Sequence, residues 1–243
     1  MIPVDSLLYK IDQKLNKLST NDHQQIALED KILALNEAQI KLIKQKLDGF
    51  STASGLGADS FKKRYEDLQS LVVNYNDGEL PLTLKNGEIH QYSANVHDLD
   101  PEYMFYADSY ILADKGRCED RKIWINKDLA KHGDLSMLLN NNHYKPSFEY
   151  QETFNSISSN EISVFTDGTF TPTKIYISYF RYPVYINKSG YIMLDGEAST
   201  DQDCELELYL EDELLDLTVQ NLAMYTENQS AVEMATYRIK TNE

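Results

Sequence analysis

Catalysis or metal binding in this chain would have to draw on five histidines, two cysteines and thirty-nine acidic residues. The histidines stand at 23, 90, 97, 132 and 143 and form neither HExxH nor HxH. His97 lies beside Asp98 and Asp100, and His132 beside Asp134, in stretches rich in turn formers, where solvated polar side chains are the ordinary case. No GxSxG elbow and no GxxxxGK[ST] phosphate loop occurs, and Gly55-Leu56-Gly57 lacks the third glycine and the preceding strand of a dinucleotide site. Residues 195–203 are rich in aspartate without the spacing of a calcium loop. A Ser/His/Asp triad and a carboxylate pair are spatial arrangements and stay open at this level. Cys118 and Cys204 can build neither a disulfide framework nor a four-ligand zinc site, and read as reduced, buried thiols. The sequence therefore predicts a non-enzymatic protein with no cofactor, no catalytic residues and no metal.

Charge narrows the partners. Of the formal net charge of −16, residues 196–243 carry −10 (twelve acids, two bases) and residues 77–195 carry −6, while residues 1–76 balance ten acids against ten bases. Such a tail repels nucleic acid, since phosphate binding needs clustered Lys and Arg; simple solubility is the other reading. No run of eighteen apolar residues predicts a membrane span, and Met1-Ile2-Pro3-Val4-Asp5 lacks the basic and apolar regions of a secretory signal.

The elements that must position these side chains fall into three zones: a helical region over 1–76, a β-rich domain over 77–195, and a C-terminal acidic helix and tail over 196–243. Asp5-Ser6 caps a first helix with Leu7, Leu8, Ile11, Leu15 and Leu18 at helical spacing. A second runs over 28–47 with Ile32, Leu35, Leu42 and Ile43 on one face and Gly49 as its stop. After a flexible linker at 51–58, a third starts at Asp59-Ser60 and carries Phe61, Tyr65, Leu68, Leu71, Val72 and Tyr75 on its apolar side. Asn36, Gln39 and Gln45 predict helical faces left uncovered in a lone subunit. In the β zone, turns at Asp77-Gly78, Asn86-Gly87, Lys115-Gly116 and Asp167-Gly168 separate strand-like runs. The runs at 104–112 and 122–125 pair across Lys115-Gly116, and those at 162–165 and 175–180 across Asp167-Gly168. Tyr191 to Leu194 forms a further apolar run. Twelve of the seventeen tyrosines lie between Tyr75 and Tyr191, which suits half-buried sheet faces, interfaces and, more distantly, sugar stacking.

The fold class expected is α+β, a helical domain formed by N- and C-terminal helices with an inserted antiparallel β-sandwich or barrel-like domain. In the acidic helix, Asp201, Asp203, Glu205 and Glu207 gather at the start, where exposed N–H groups favour negative charge. Leu206, Leu210, Leu214 and Leu217 form its apolar row, to be buried on the N-terminal helices or on another subunit. The segment 132–147 is expected to make a short helical turn whose Leu135, Met137, Leu138 and Leu139 dock on a neighbouring subunit or an adjacent ring, or else close as a lid over the β core. Leu135, Leu138, Leu139, Leu210 and Leu214 are thus the candidate interaction residues.

Three features carry a resemblance: the strand KIYISYFRYPVYI at 174–186, the segment DCELELYLEDELLDLTVQNLAMYTE at 203–227, and the loop HGDLSMLLN at 132–140 followed by YKPS at 144–147. In order and texture, over roughly half of the chain, they resemble the neck and tail-ring proteins, head–tail connectors of the tail-adaptor type, of crAss-like tailed bacteriophages. The resemblance implies a virion structural protein that forms a twelve-fold ring of its own copies and connects portal to tail. Its partners would then be the portal and other neck and tail proteins. DNA would pass through without sequence-specific binding, and no membrane would be contacted. It also implies localisation in the virion, with assembly in the host cytoplasm. The alternative is a β-sandwich binding module, reading a receptor or carbohydrate from a phage tail or cell surface.

Overall fold

The computed structural model describes residues 1–18, 26–48, 66–85, 90–127, 130, 132–193, 196–225, 233 and 236–237. The chain is α+β, with helices α1 (Val4–Leu18), α2 (Leu28–Asp48), α3 (Leu135–Asn140) and α4 (Glu211–Tyr225). Its strands are β1 (Val72–Val73), β2 (Glu79–Pro81), β3 (Thr83–Leu84), β4 (Gln91–Asn95), β5 (Tyr103–Lys115), β6 (Cys118–Lys127), β7 (Glu152–Ser158), β8 (Glu161–Phe165) and β9 (Thr171–Arg181). Two compact units divide it, residues 1–71 with 183–243, and residues 72–182. The divisions therefore fall at 72 and 182, not at 77 and 195. The expected third helix does not reach Tyr75, because the β-branched pair Val72-Val73 lies alongside Phe180 and Tyr179 as a strand. At the other end β9 stops before Tyr182-Pro183, where proline disfavours continuation. Among the described residues of the apolar run from Tyr191, Ile192 bridges to Ala198 and no strand is formed. Gly49, the linker at 51–58, the start of the third helix and Asn86-Gly87 lie outside the described residues.

In the helical unit α1 buries Val4, Leu7, Ile11 and Leu15, one residue per turn of a single face. α2 buries Ile32, Leu35, Leu42 and Ile43, with Ala34 and Ala38 beside them. Gln39, expected on an open face, is fully buried, and among the described residues neither its amide nitrogen nor its amide oxygen has a hydrogen-bond partner. α4 packs against both α1 and α2. Every residue from Leu214 to Val219 is buried, so α4 is a central helix, not a one-sided stripe. Its buried Asp216 accepts from Lys14 Nζ at 2.6 Å, and Thr218 Oγ1 donates to the Leu214 carbonyl at 2.7 Å. The acids expected at its start serve other backbones. Asp203 accepts from Val4 N at 2.9 Å and so caps α1, beside the Ile2–Cys204 bridge. Asp201 accepts from Ser189 N at 2.7 Å, and Glu205 from Val184 N at 2.9 Å.

The strands run in the order β1-β9-β5-β6-β7-β8-β4-β3, with β2 also on β9. The sheet is mixed, not antiparallel throughout, because β6 and β7 run parallel. The connection from β6 to β7 includes α3 and is the long crossover that a parallel pair requires. β5 and β6 do pair across Lys115-Gly116. β8 does not pair with β9. It turns back on β7 through Ser159 and Asn160, both at positive φ (51° and 64°), and lies against β4 on its other side. Asp167-Gly168 is instead a corner, where Gly168 (φ 80°) leaves room for the His90 ring; a Cβ there would stand 2.4 Å from it. Residues 79–84 pair with β9 in their first half and with β4 in their second. The main core cluster of the sheet has Leu80, Ile111, Ile123, Ile162, Val164 and Ile177 among its members.

Candidate interaction surfaces

Alternation along three adjacent strands builds an aromatic surface on the β unit. Ile111, Ile123, Ile175 and Ile177 face the core, so Tyr110, Lys122, Trp124 and Tyr176 face outward. The register puts Tyr110 opposite both Trp124 and Tyr176, which makes one row across β9, β5 and β6. Tyr110 stacks on Tyr176 with centroids 5.0 Å apart at 12° and meets Trp124 at 5.5 Å and 63°. Tyr75, from the turn after β1, closes the group at 5.2 Å from Tyr110, and its hydroxyl donates to the Asp108 carboxylate. Lys122 Nζ lies 3.7 Å from the Tyr110 centroid and 3.8 Å from that of Trp124, within cation–π range of both. At the border, hydrogen bonds from Lys174 and the Tyr176 hydroxyl hold the Glu79 carboxyl below its ordinary pKa. Desolvation, followed by the bond to Glu79, raises that of Tyr176. The arrangement offers flat apolar faces, the Lys122 ammonium with no carboxylate partner among the described residues, and a polar edge formed by Glu79, Lys174 and Tyr176.

The helical unit carries a shallow groove of about 850 Å³ along the outer side of α2, with Leu33, Ile40 and Tyr185 as apolar lining and Glu37, Lys41 and Lys44 around them. Asn36 fixes one wall. Its amide donates to the Ile186 carbonyl at 2.9 Å and accepts from Ile186 N at 2.8 Å, which holds the neighbouring Tyr185 in place. Leu208 and Tyr209 are also exposed, at 62% and 58%, between Glu207 and Asp212. Desolvation and a hydrogen bond to Asp67 push the Tyr209 hydroxyl up to about 12.

The residues picked from sequence fall elsewhere. Leu210 and Leu214 are buried within the helical unit, covered by its own helices, so neither forms a surface for a second subunit. Residues 135–140 do form a short helix, but Leu138 is buried on Phe154 and Phe165 of its own unit, with Leu135 packed beside it. This is the lid arrangement for those two leucines. Leu139 and Met137 remain exposed. Cys204 is buried and burial pushes its thiol up to about 11, whereas Cys118 is exposed, contrary to expectation. Among the described residues no group of three His, Cys, Asp or Glu side chains could hold a metal ion, and no helix is long and apolar enough to cross a membrane. His23 lies outside the described residues.

The aromatic row escaped sequence reasoning. Tyrosine abundance marked the zone, and Lys122 and Trp124 stand two apart in one strand, but the partners come from positions 75, 110 and 176 and meet only through register. Compared with known proteins, the chain matches no family and no curated protein.

Proposed function

We propose that this chain is a non-enzymatic virion structural protein, a ring subunit in the neck or tail of a crAss-like tailed bacteriophage that connects portal to tail. One observation carries the reading: both units complete their own cores and still hold clustered aromatic and aliphatic side chains in solvent. Trp124 beside the half-buried Tyr110 does so on the β unit, and Leu33 with Tyr185 on the helical unit. Clusters of this kind mark protein contacts more often than chemistry. The order of sequence features, from the loop at 132–147 to the strand ending at Arg181 and the acidic helix, supports the same class. In the finer architecture we assign, N- and C-terminal helices make one domain. The β unit is inserted as a barrel-like wrap, its edge strands joined through residues 79–84. Twelve copies surround the DNA path, and the acidity of residues 196–243 keeps the passing DNA unbound. The test is a reconstruction of the intact virion: density for this chain in a closed ring on the portal–tail axis is expected, and its absence from that axis overturns the reading.

The aromatic row favours a second reading, a receptor- or carbohydrate-binding module, because ring faces bordered by charged groups also suit sugars. A glycan array probed with the full chain separates the two: the ring reading expects no saccharide hit that Trp124→Ala abolishes.

A further inference from the structure

We infer that the aromatic face centred on Trp124 is the docking site for the Glu207–Tyr209 turn of a second copy of this chain. The inference rests on the ring reading and names the contact that would close the ring. Within an acidic chain, lysines among the described residues are mostly neutralised locally: Lys14, Lys46, Lys115 and Lys174 each reach a carboxylate within 3.2 Å. Lys122 does not. Exposed, it lies over two aromatic rings with no carboxylate partner among the described residues. Its ammonium keeps hydrogen-bonding capacity for an anion from outside, and a carboxylate seated there would meet charge and apolar surface together. The only tryptophan of the chain stands beside it at 42% exposure, and Trp and Tyr are the residue types that most often anchor protein interfaces.

The matching surface is on the helical unit of the same sequence. Glu207 and Asp212 reach no cation among the described residues, and between them Leu208 and Tyr209 project into solvent. Acid beside exposed apolar side chains complements cation beside exposed rings in both respects. The two patches belong to different units, so one copy can give its aromatic face to a neighbour while its own turn engages the next. Such a head-to-tail contact is the heterologous kind that generates rings.

The experiment measures self-association of the full chain by analytical ultracentrifugation across concentration, with melting curves confirming that each variant is folded. Wild type is expected to associate. Lys122→Glu and Glu207→Lys should each raise the midpoint concentration roughly tenfold or more, as removal of an interface hot spot does, and the double charge exchange should restore it. Trp124→Ala should weaken association to a similar extent. Association that both single variants leave unchanged overturns this contact while the ring reading stands. Weakening by both without rescue in the double variant overturns the pairing of Lys122 with Glu207. A wild type that stays monomeric at every concentration also overturns it, and the virion reconstruction then decides the ring reading separately.

Discussion

Gln39 is a costly side chain in the helical unit. A buried amide with neither end bonded forfeits its hydration without return, about 1–3 kcal/mol for each unsatisfied group. Leucine has a similar volume and no polar atoms. Gln39→Leu is therefore expected to stabilise the protein by about 1–3 kcal/mol, read as a higher denaturation midpoint at unchanged slope; a lower midpoint would show that the amide has a partner. Asp201 behaves in the opposite way. The N–H of Ser189, then Lys188, hold its carboxyl at about 2 against an ordinary 3.8. Because the folded pKa is the lower one, its contribution is present above the ordinary carboxylate range and fades as pH falls through about 2. A carboxyl NMR titration should find Asp201 still charged at pH 3, and Asn in its place should flatten the acid limb of the stability curve in that window. Neither effect was legible in the sequence. Gln39 looks like a solvated position until the helices packed around it are known, and Asp201 looks like one more acid at a helix start.

Elements were legible where a single periodicity governs them. α1 and α2 follow from apolar spacing alone, because one face of each packs and the other stays wet. The β5–β6 hairpin follows from its glycine turn. Prediction failed where the deciding partner is distant in sequence. Asp167-Gly168 signals a hairpin, yet β9 is drawn to β5, and β8 to β7 and β4, by long-range pairing. The acids at 201–205 signal a helix start, yet they bond the backbone at Ser189, Val4 and Val184. The short helix α3 shows the same dependence. Leu138 lies against Phe154 and Phe165, while Leu139 one residue later is 37% exposed. Leu138→Ser should destabilise by about 2–4 kcal/mol, since it removes a buried aliphatic side chain and buries a hydroxyl. Leu139→Ser should stay within about 0.5 kcal/mol of wild type, as surface changes usually do. Equal losses in the two melting curves would refute the register of this helix.

For the whole molecule, the division at 72 and 182 has a consequence for folding. β1 lies antiparallel to the end of β9, so Val72 stands about 5 Å from Phe180, two residues before the other end of the β unit. Tyr182 N donates to the Glu102 carbonyl and ties the exit to the same sheet. The unit also has a core of its own, drawn from strands β2, β4, β5, β6, β8 and β9. A segment with its own core and adjoining ends has what independent folding requires. Residues 72–182 expressed alone should therefore give a β-type circular dichroism spectrum and one cooperative melting transition. In the complementary variant a short Gly-Ser linker joins residue 71 to residue 183. There α1, α2 and α4 keep the burial of Ile11, Leu35, Leu214 and Leu217 and the Lys14–Asp216 pair, all formed within the helical unit. That variant should melt cooperatively with a helical spectrum. If both pieces lack a cooperative transition, the two cores depend on each other and the chain folds as one body. If only the β piece folds, the helical unit needs the insert to bring its N- and C-terminal segments together, and the cost of closing that loop, rather than missing contacts, sets its stability.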